Sequence, residues 1–164
     1  MSSASTDSKE LESLSEDNCW VALTSSPLHI QSVIDRVRSQ QAGAIVLFAG
    51  TTRDNFEGKP VKDLRYESYT PLALRSMLEI ASGVKERHGL KGVAIIHRLG
   101  VVPIGEESIL IAVSAPHRQA AWRAGEEALE ECKKRVEVWK LEEFADGGGV
   151  WRANRDGQAG ERVG

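Results

Sequence analysis

The stretch Gly92–Ser114, GVAIIHRLGVVPIGEESILIAVS, decides the fold class. Its two apolar runs, Gly92–Ile96 and Ser108–Ser114, are short and read as strands. Pro103-Ile104-Gly105 between them joins two strands directly. Outward from this stretch the elements follow no strict β-α-β-α rhythm. The class is therefore α+β, with a mixed or mainly antiparallel sheet and about three helices.

Upstream, Trp20–Thr24 reads as a short strand, and His29–Gln40 as a helix with Ile30, Val33, Ile34 and Val37 at helical spacing. Ala44–Ala49 is a continuous apolar run and reads as a buried strand. Val61–Tyr69 is a strand with a more polar face. Pro71 suits a first helical turn. The helix after it carries Leu74, Met77, Leu78, Ala81 and Val84 on one stripe and stops near Gly89. Downstream, Arg118–Lys134 is a helix whose expected core face holds Ala121, Trp122, Ala128, Leu129 and Cys132. Val136–Glu142 reads as a strand. Gly147–Gly149 reads as a flexible link to a last strand around Val150–Ala153.

Composition narrows the function classes. Of 164 residues, 41% are hydrophobic and 27% charged, an ordinary globular balance for one domain. Lys plus Arg is 21 and Asp plus Glu is 24, a net charge of −3, without the basic excess of a nucleic-acid binder. No apolar run approaches the ~20 residues that span a bilayer, and the N-terminus has no secretory apolar segment. Cys19 and Cys132 form no C-x-x-C pair and no disulfide framework. These features point to a soluble cytosolic protein with no nucleic-acid or membrane partner.

Residues 1–17 hold six serines, five acidic residues and one lysine, and read as a disordered acidic tail. The folded domain is expected over 18–156. Residues 157–164, Gly-rich and polar, are expected to be a flexible C-terminal tail.

Four basic clusters can carry chemistry. Gly50-Thr51-Thr52-Arg53 follows an apolar strand, and its hydroxyls and guanidinium can hold an oxyanion. The same residues also read as a solvated turn with Arg53 paired to Asp54 or Glu57. His117-Arg118 opens a helix, where free N–H groups and partial positive charge attract anions. A cation there needs a compensating anion or a carboxylate partner. Lys133, with Lys134 and Arg135, ends that helix, where cations are expected from the dipole alone. Lys140 alternates onto one strand face with Val136 and Val138. A lysine on an apolar face either snorkels or is held for acid, base or nucleophilic work. His29, His88, His97 and His117 show no metal-ligand spacing, and there is no dinucleotide or P-loop motif, so no metal and no cofactor is expected. Cys132 reads as a small buried hydrophobe.

Three long segments then carry a resemblance: GAIVLFAGTTRDNFEGKPVKDLRYESY (43–69), IIHRLGVVPIGEESILIAVSAPHR (95–118) and KKRVEVWKLE (133–142). In order and spacing, from about Ala42 to Arg155, the chain resembles the large, catalytic subunit of molybdopterin synthase. The resemblance implies an α/β hammerhead-type fold and a central homodimer within a heterotetramer. It implies a small ubiquitin-like sulfur-carrier partner whose C-terminal Gly-Gly ends in a thiocarboxylate. The implied reaction moves two sulfur atoms onto cyclic pyranopterin monophosphate (precursor Z), forming the dithiolene of molybdopterin and opening the cyclic phosphate. The family's catalytic lysines fall on Lys133 and Lys140. Its substrate-binding positions fall on Arg53, His117, Arg118, Lys133, Lys140, Leu141 and Glu142, and on Arg155, supplied across the dimer. The family commonly has proline at Glu137 and a basic residue at Leu141. The acidic N-terminal tail lies outside the resemblance. A non-catalytic anion-binding or assembly subunit on the same fold is the alternative.

Overall fold

The computed structural model describes residues 11–145, 147–153 and 162–163. The elements run β1 (Leu11–Glu16), β2 (Cys19–Thr24), α1 (Ile30–Val37), β3 (Ala44–Thr51), β4 (Asn55–Phe56), β5 (Lys59–Ser68), α2 (Thr70–His88), β6 (Gly92–Arg98), β7 (Gly100–Pro103), β8 (Glu107–Ala115), α3 (Arg118–Arg135), β9 (Val138–Phe144), β10 (Gly149–Ala153) and β11 (Arg162–Val163). This is the expected α+β class.

One sheet has the order β1-β2-β6-β8-β3, with β2 and β6 parallel and every other pair antiparallel. Its central strands are apolar without interruption because both faces are covered. Alternation sends Val21, Leu23, Val93, Ile95, Ile109, Ile111 and Val113 to the side of α2 and α3. It sends Ala22, Ala94, Ile96, Leu110 and Ala112 to the side of α1, against Val33 and Val37. The second sheet, β11-β10-β9-β5-β4, is antiparallel, and β7 pairs with β5. Tyr66, Val102 and Val138 carry it onto the α2–α3 side of the same core. Pro103-Ile104-Gly105 does join two strands directly, but it passes from one sheet to the other: β7 pairs with β5, and β8 with β6 and β3.

α2 starts with Pro71 in its first turn and ends at Gly89, whose φ of 63° is the left-handed conformation that closes a helix. Its buried stripe is Ala73, Leu74, Met77, Ile80, Ala81 and Val84. At such positions truncation to alanine costs about 2–5 kcal/mol for a Leu, Ile or Met.

Four expectations change. The tail expected over 1–17 is ordered from Leu11: β1 folds back on β2 through Asp17 and Asn18, both at positive φ, and Leu14 packs on the core. Composition argued for disorder, but a two-residue turn of this hand pairs the strands through backbone hydrogen bonds that need few apolar side chains. Trp122 is not on the core face; it is 65% exposed. The buried positions of α3, Ala121, Ala124, Gly125, Ala128 and Cys132, follow the i, i+3, i+4 rule, which turns Trp122 outward. β3 is only half-buried, because among the described residues it ends its sheet and pairs with β8 alone. Within the tail expected over 157–164, Arg162–Val163 pairs with Gly149–Val150; its other residues lie outside the described ones.

Candidate functional site

A cavity of about 610 Å³ opens where the two sheets meet the C-terminal end of α3. That size suits a small ligand. One wall is the end of β3, with Phe48, Ala49, Gly50, Thr51 and, just past it, Arg53. Asn55 and Phe56 of β4 and Val61, Leu64 and Tyr66 of β5 form the next wall. Ile95 and His97 of β6, Ser108 and Ile109 of β8 and Met77 of α2 also line it. The last wall is Leu129, Cys132 and Lys133 of α3, the cap residue Val136, and Lys140 and Glu142 of β9.

Local structure explains each placement. The β3–β8 register shifts between Gly50 and Thr51, an irregularity that re-aims the chain before Arg53. A β-carbon on Gly50 would lie 2.8 Å from Ile109 Cγ2, so any larger residue here would have to displace the Ile109 side chain. The turn between β7 and β8 clamps the loop. Thr52 N–H donates to the Glu106 carbonyl at 3.1 Å, and Gly105 N–H to the Thr52 carbonyl at 2.9 Å. Glu106 is itself held by Arg98, whose Nη1 donates to its Oε1 at 2.9 Å. The Asp54 carboxylate takes a hydrogen bond from Asn55 Nδ2 at 2.8 Å.

Among the cations ending α3, Arg135 bridges Glu79 at 3.1 Å and Glu131 at 3.5 Å. The bland reading of a helix-end cation fits Arg135, whereas Lys133 lines the cavity. Alternation on β9 turns Lys140 and Glu142 inward, with Glu142 3% exposed, and leaves Trp139 45% exposed on the other face. Glu137, at a position where the family commonly has proline, ties α2 to the link before β9. Ser76 Oγ donates to both of its carboxylate oxygens at 3.0 Å, and Tyr69 N–H to its carbonyl at 3.1 Å.

Of the residues singled out in the sequence, Arg53, Lys133, Lys140 and Glu142 share this cavity. Leu141 is buried but does not line it. His117 and Arg118 sit at the opposite end of α3: 133 − 118 = 15 residues at 1.5 Å each separates Arg118 from Lys133 by roughly 22 Å. Both are exposed, His117 makes no side-chain cap, and the first turn holds no acidic residue. Arg155 lies outside the described residues.

Two titratable cavity residues were missed. Tyr66 faces Lys140 directly across the β5–β9 ladder. His97 is 3% exposed, its ring edge-on to Tyr66 with centroids 4.7 Å apart. Burial, reinforced by the positive charge of Lys140, pushes His97 down to about 4, against the raising effect of its backbone hydrogen bond. The sequence signal was a histidine at the end of the apolar run Gly92–Ile96, which spacing rules for metals do not flag. Burial pushes the Cys132 thiol up to about 12, so it is no nucleophile at neutral pH. Cys19 is also raised, chiefly by burial.

The arrangement is a cavity of mixed polar and apolar walls with a guanidinium at one wall and two lysines at another. Its cations suit an anionic ligand. Among the described residues, no helix is long and apolar enough to cross a membrane.

Comparison with known proteins places the chain. The family model described as MoaE protein matches residues 23–135. The molybdopterin synthase catalytic subunit of Neurospora crassa is 70% identical over 151 residues, covering 92% of this chain and 73% of that protein. The subunit of the same name from Pyricularia oryzae is 64% identical over 154 residues, covering 94% and 85%. Among solved structures, molybdopterin synthase from Staphylococcus aureus superimposes with a TM-score of 0.75 at 34% identity, covering 79% of this chain and 94% of that one. With the family model spanning most of the described fold and relatives this similar along nearly the whole sequence, the chain belongs to the MoaE protein family.

Proposed function

We propose that this chain is the catalytic subunit of molybdopterin synthase. It transfers sulfur from the C-terminal thiocarboxylate of a small carrier subunit to cyclic pyranopterin monophosphate, and so builds the dithiolene of molybdopterin in the cytosol. The observation that carries the reading is the shared cavity of Arg53, Lys133, Lys140 and Glu142, drawn from two distant stretches of sequence, one around Arg53 and one over 133–142.

The chemistry fits what the cavity offers. The sulfur nucleophile arrives on the carrier, so the protein needs no activated cysteine, and Cys132 is not one. The cavity admits a slim Gly-Gly tail, and the lysines neutralise the thiocarboxylate at its end. Each carbon–sulfur bond forms as a carbon–oxygen bond at the same pterin carbon breaks, one of these breaks opening the cyclic phosphate, and Lys133 and Lys140 supply protons to the departing oxygens. Water then replaces sulfur on the carrier's acyl carbon, and the carrier leaves as a carboxylate. Arg53 holds the phosphate with its rigid donor fork.

His117 and Arg118, roughly 22 Å along α3 from Lys133, reach a cavity from a second copy of the chain. The homodimer implied by the resemblance supplies that copy. Arg155 is assigned to the same cross-dimer role, and Glu142 to holding Lys140 in place. Leu141 contributes through strand packing.

Incubation with thiocarboxylated carrier and the cyclic pterin tests the reading. The wild-type chain forms the dithiolene product. Lys133→Ala and Lys140→Ala each abolish it while remaining folded by circular dichroism. Binding of both ligands without product in the wild type would favour a non-catalytic anion-binding or assembly subunit.

A further inference from the structure

His97 has no part in the reaction as described so far. It is a buried polar ring that follows the apolar run Val93–Ile96 of its strand and precedes Arg98, and it lines the cavity. Burying such a group costs free energy unless its nitrogens are used. Its Nδ1 lies 2.8 Å from the Arg98 carbonyl oxygen. A carbonyl can only accept, so Nδ1 carries the proton. The ring is neutral, and Nε2 is therefore the accepting nitrogen. The ring orientation is set twice over, by this bond and by the edge-on contact with Tyr66 at 4.7 Å. Tyr66 is the direct cross-strand partner of Lys140, and the charge of Lys140 is felt at His97.

The charged and titratable groups around the cavity are Lys140 and Glu142 from β9, Lys133 and Cys132 from α3, Tyr66 from β5 and Arg53 beyond β3. In so cationic a site a protonated imidazole would repel both lysines. A neutral one with a fixed lone pair does the opposite, giving an ammonium a place to point.

We propose that His97 is a positioning residue for Lys140, its neutral imidazole presenting Nε2 as the acceptor that aims the Lys140 ammonium into the cavity. The proposal rests on the reading of Lys140 as a catalytic lysine, but it concerns the lysine's placement and can be measured without any sulfur transfer.

The test replaces His97 by phenylalanine, which keeps the ring and removes the acceptor, and by glutamine, which returns a carbonyl acceptor. Lysines of the full chain are labelled by reductive 13C-methylation, and Lys140 is assigned with Lys140→Met. In His97→Phe the Lys140 resonance titrates at lower pH than in the wild type. In His97→Gln it returns towards the wild-type value. With carrier and pterin, His97→Phe lowers kcat on the order of tenfold to a hundredfold and leaves KM within about twofold. A folded His97→Phe whose Lys140 titrates as in the wild type would overturn the proposal.

Should His97→Phe fail to fold, the 15N ring resonances of wild-type His97 decide. They show an Nδ1-protonated neutral ring whose Nε2 shift moves when Lys140 becomes methionine. An Nε2-protonated ring, or an Nε2 shift indifferent to Lys140→Met, would overturn it equally. A wild-type chain that makes no dithiolene product but passes both spectroscopic tests refutes the enzymatic reading and leaves the His97–Lys140 arrangement standing.

Discussion

Single residues show how chemistry and stability compete for the same cation. Arg135 and Lys133 are two residues apart at one helix end, yet Arg135 is spent on Glu79 and Glu131 while Lys133 turns to the cavity. Residue type and helix-end position make the two equivalent, and only the direction of the side chain separates them. Arg53 is similar. Its sequence neighbours offered carboxylates, but Asp54 is occupied by Asn55 and the loop is pinned by the Thr52–Glu106 and Gly105–Thr52 hydrogen bonds. A charge-assisted hydrogen bond contributes about 1.5–3 kcal/mol. Arg53→Ala is therefore expected to raise KM for the phosphorylated pterin roughly tenfold to a hundredfold. Steady-state kinetics with carrier in excess reads it, and an unchanged KM would remove Arg53 from phosphate binding.

At the scale of elements, the periodicities were legible where packing is one-sided or fully buried. The stripe on α2, its stop at Gly89 and the strands β2, β6 and β8 all stand in the sequence, because spacing alone assigns their faces. β1, β4 and β7 were not legible. They are short or polar, and they exist through backbone pairing with a partner that comes from elsewhere in the chain. The contact between α2 and α3 also escaped the sequence. His88 Nε2 lies 2.5 Å from Glu127 Oε2, and Arg87 Nε donates to Glu127 Oε1 at 3.1 Å. Burial raises Glu127, but the His88 hydrogen bond and the Arg87 and His88 charges outweigh it, and its carboxyl is held below the ordinary range. A carboxyl lowered in the folded state adds stability above its unfolded value of 4.5, and that stability is lost as pH falls through the folded value. Glu127→Gln should accordingly lower Tm at pH 7, with the difference from wild type closing as pH falls below the ordinary glutamate range. Thermal melts across that range check it; a difference that persists at low pH would mean the pair acts through packing alone.

At the scale of the whole molecule, one chain assembles only part of the set that the family resemblance assigns. The cavity gathers Arg53, Lys133, Lys140 and Glu142, while α3 carries His117 and Arg118 away from it by its own length. A helix is a rigid spacer, so no local adjustment brings the two ends together. If a second copy completes each site, mixing inactive Lys133→Ala with inactive His117→Ala protein under conditions of subunit exchange restores product formation. In such a mixed dimer one site carries both changes and the other carries neither. Mixtures as inactive as their components would place His117 in the same site as Lys133 of its own chain, against the geometry of α3. The sequence by itself determined the class of fold, the strongly periodic elements, the candidate cations and, through three long motifs in order, the family. Those depend on side-chain chemistry and on spacings of two to four residues, which a linear string displays. Tertiary structure alone decided that β7 and β8 part into different sheets, that Trp122 faces water, that His97 and Tyr66 stand beside Lys140, and that His117 lies apart from it. These are relations between segments distant in the chain, set by strand pairing and helix length.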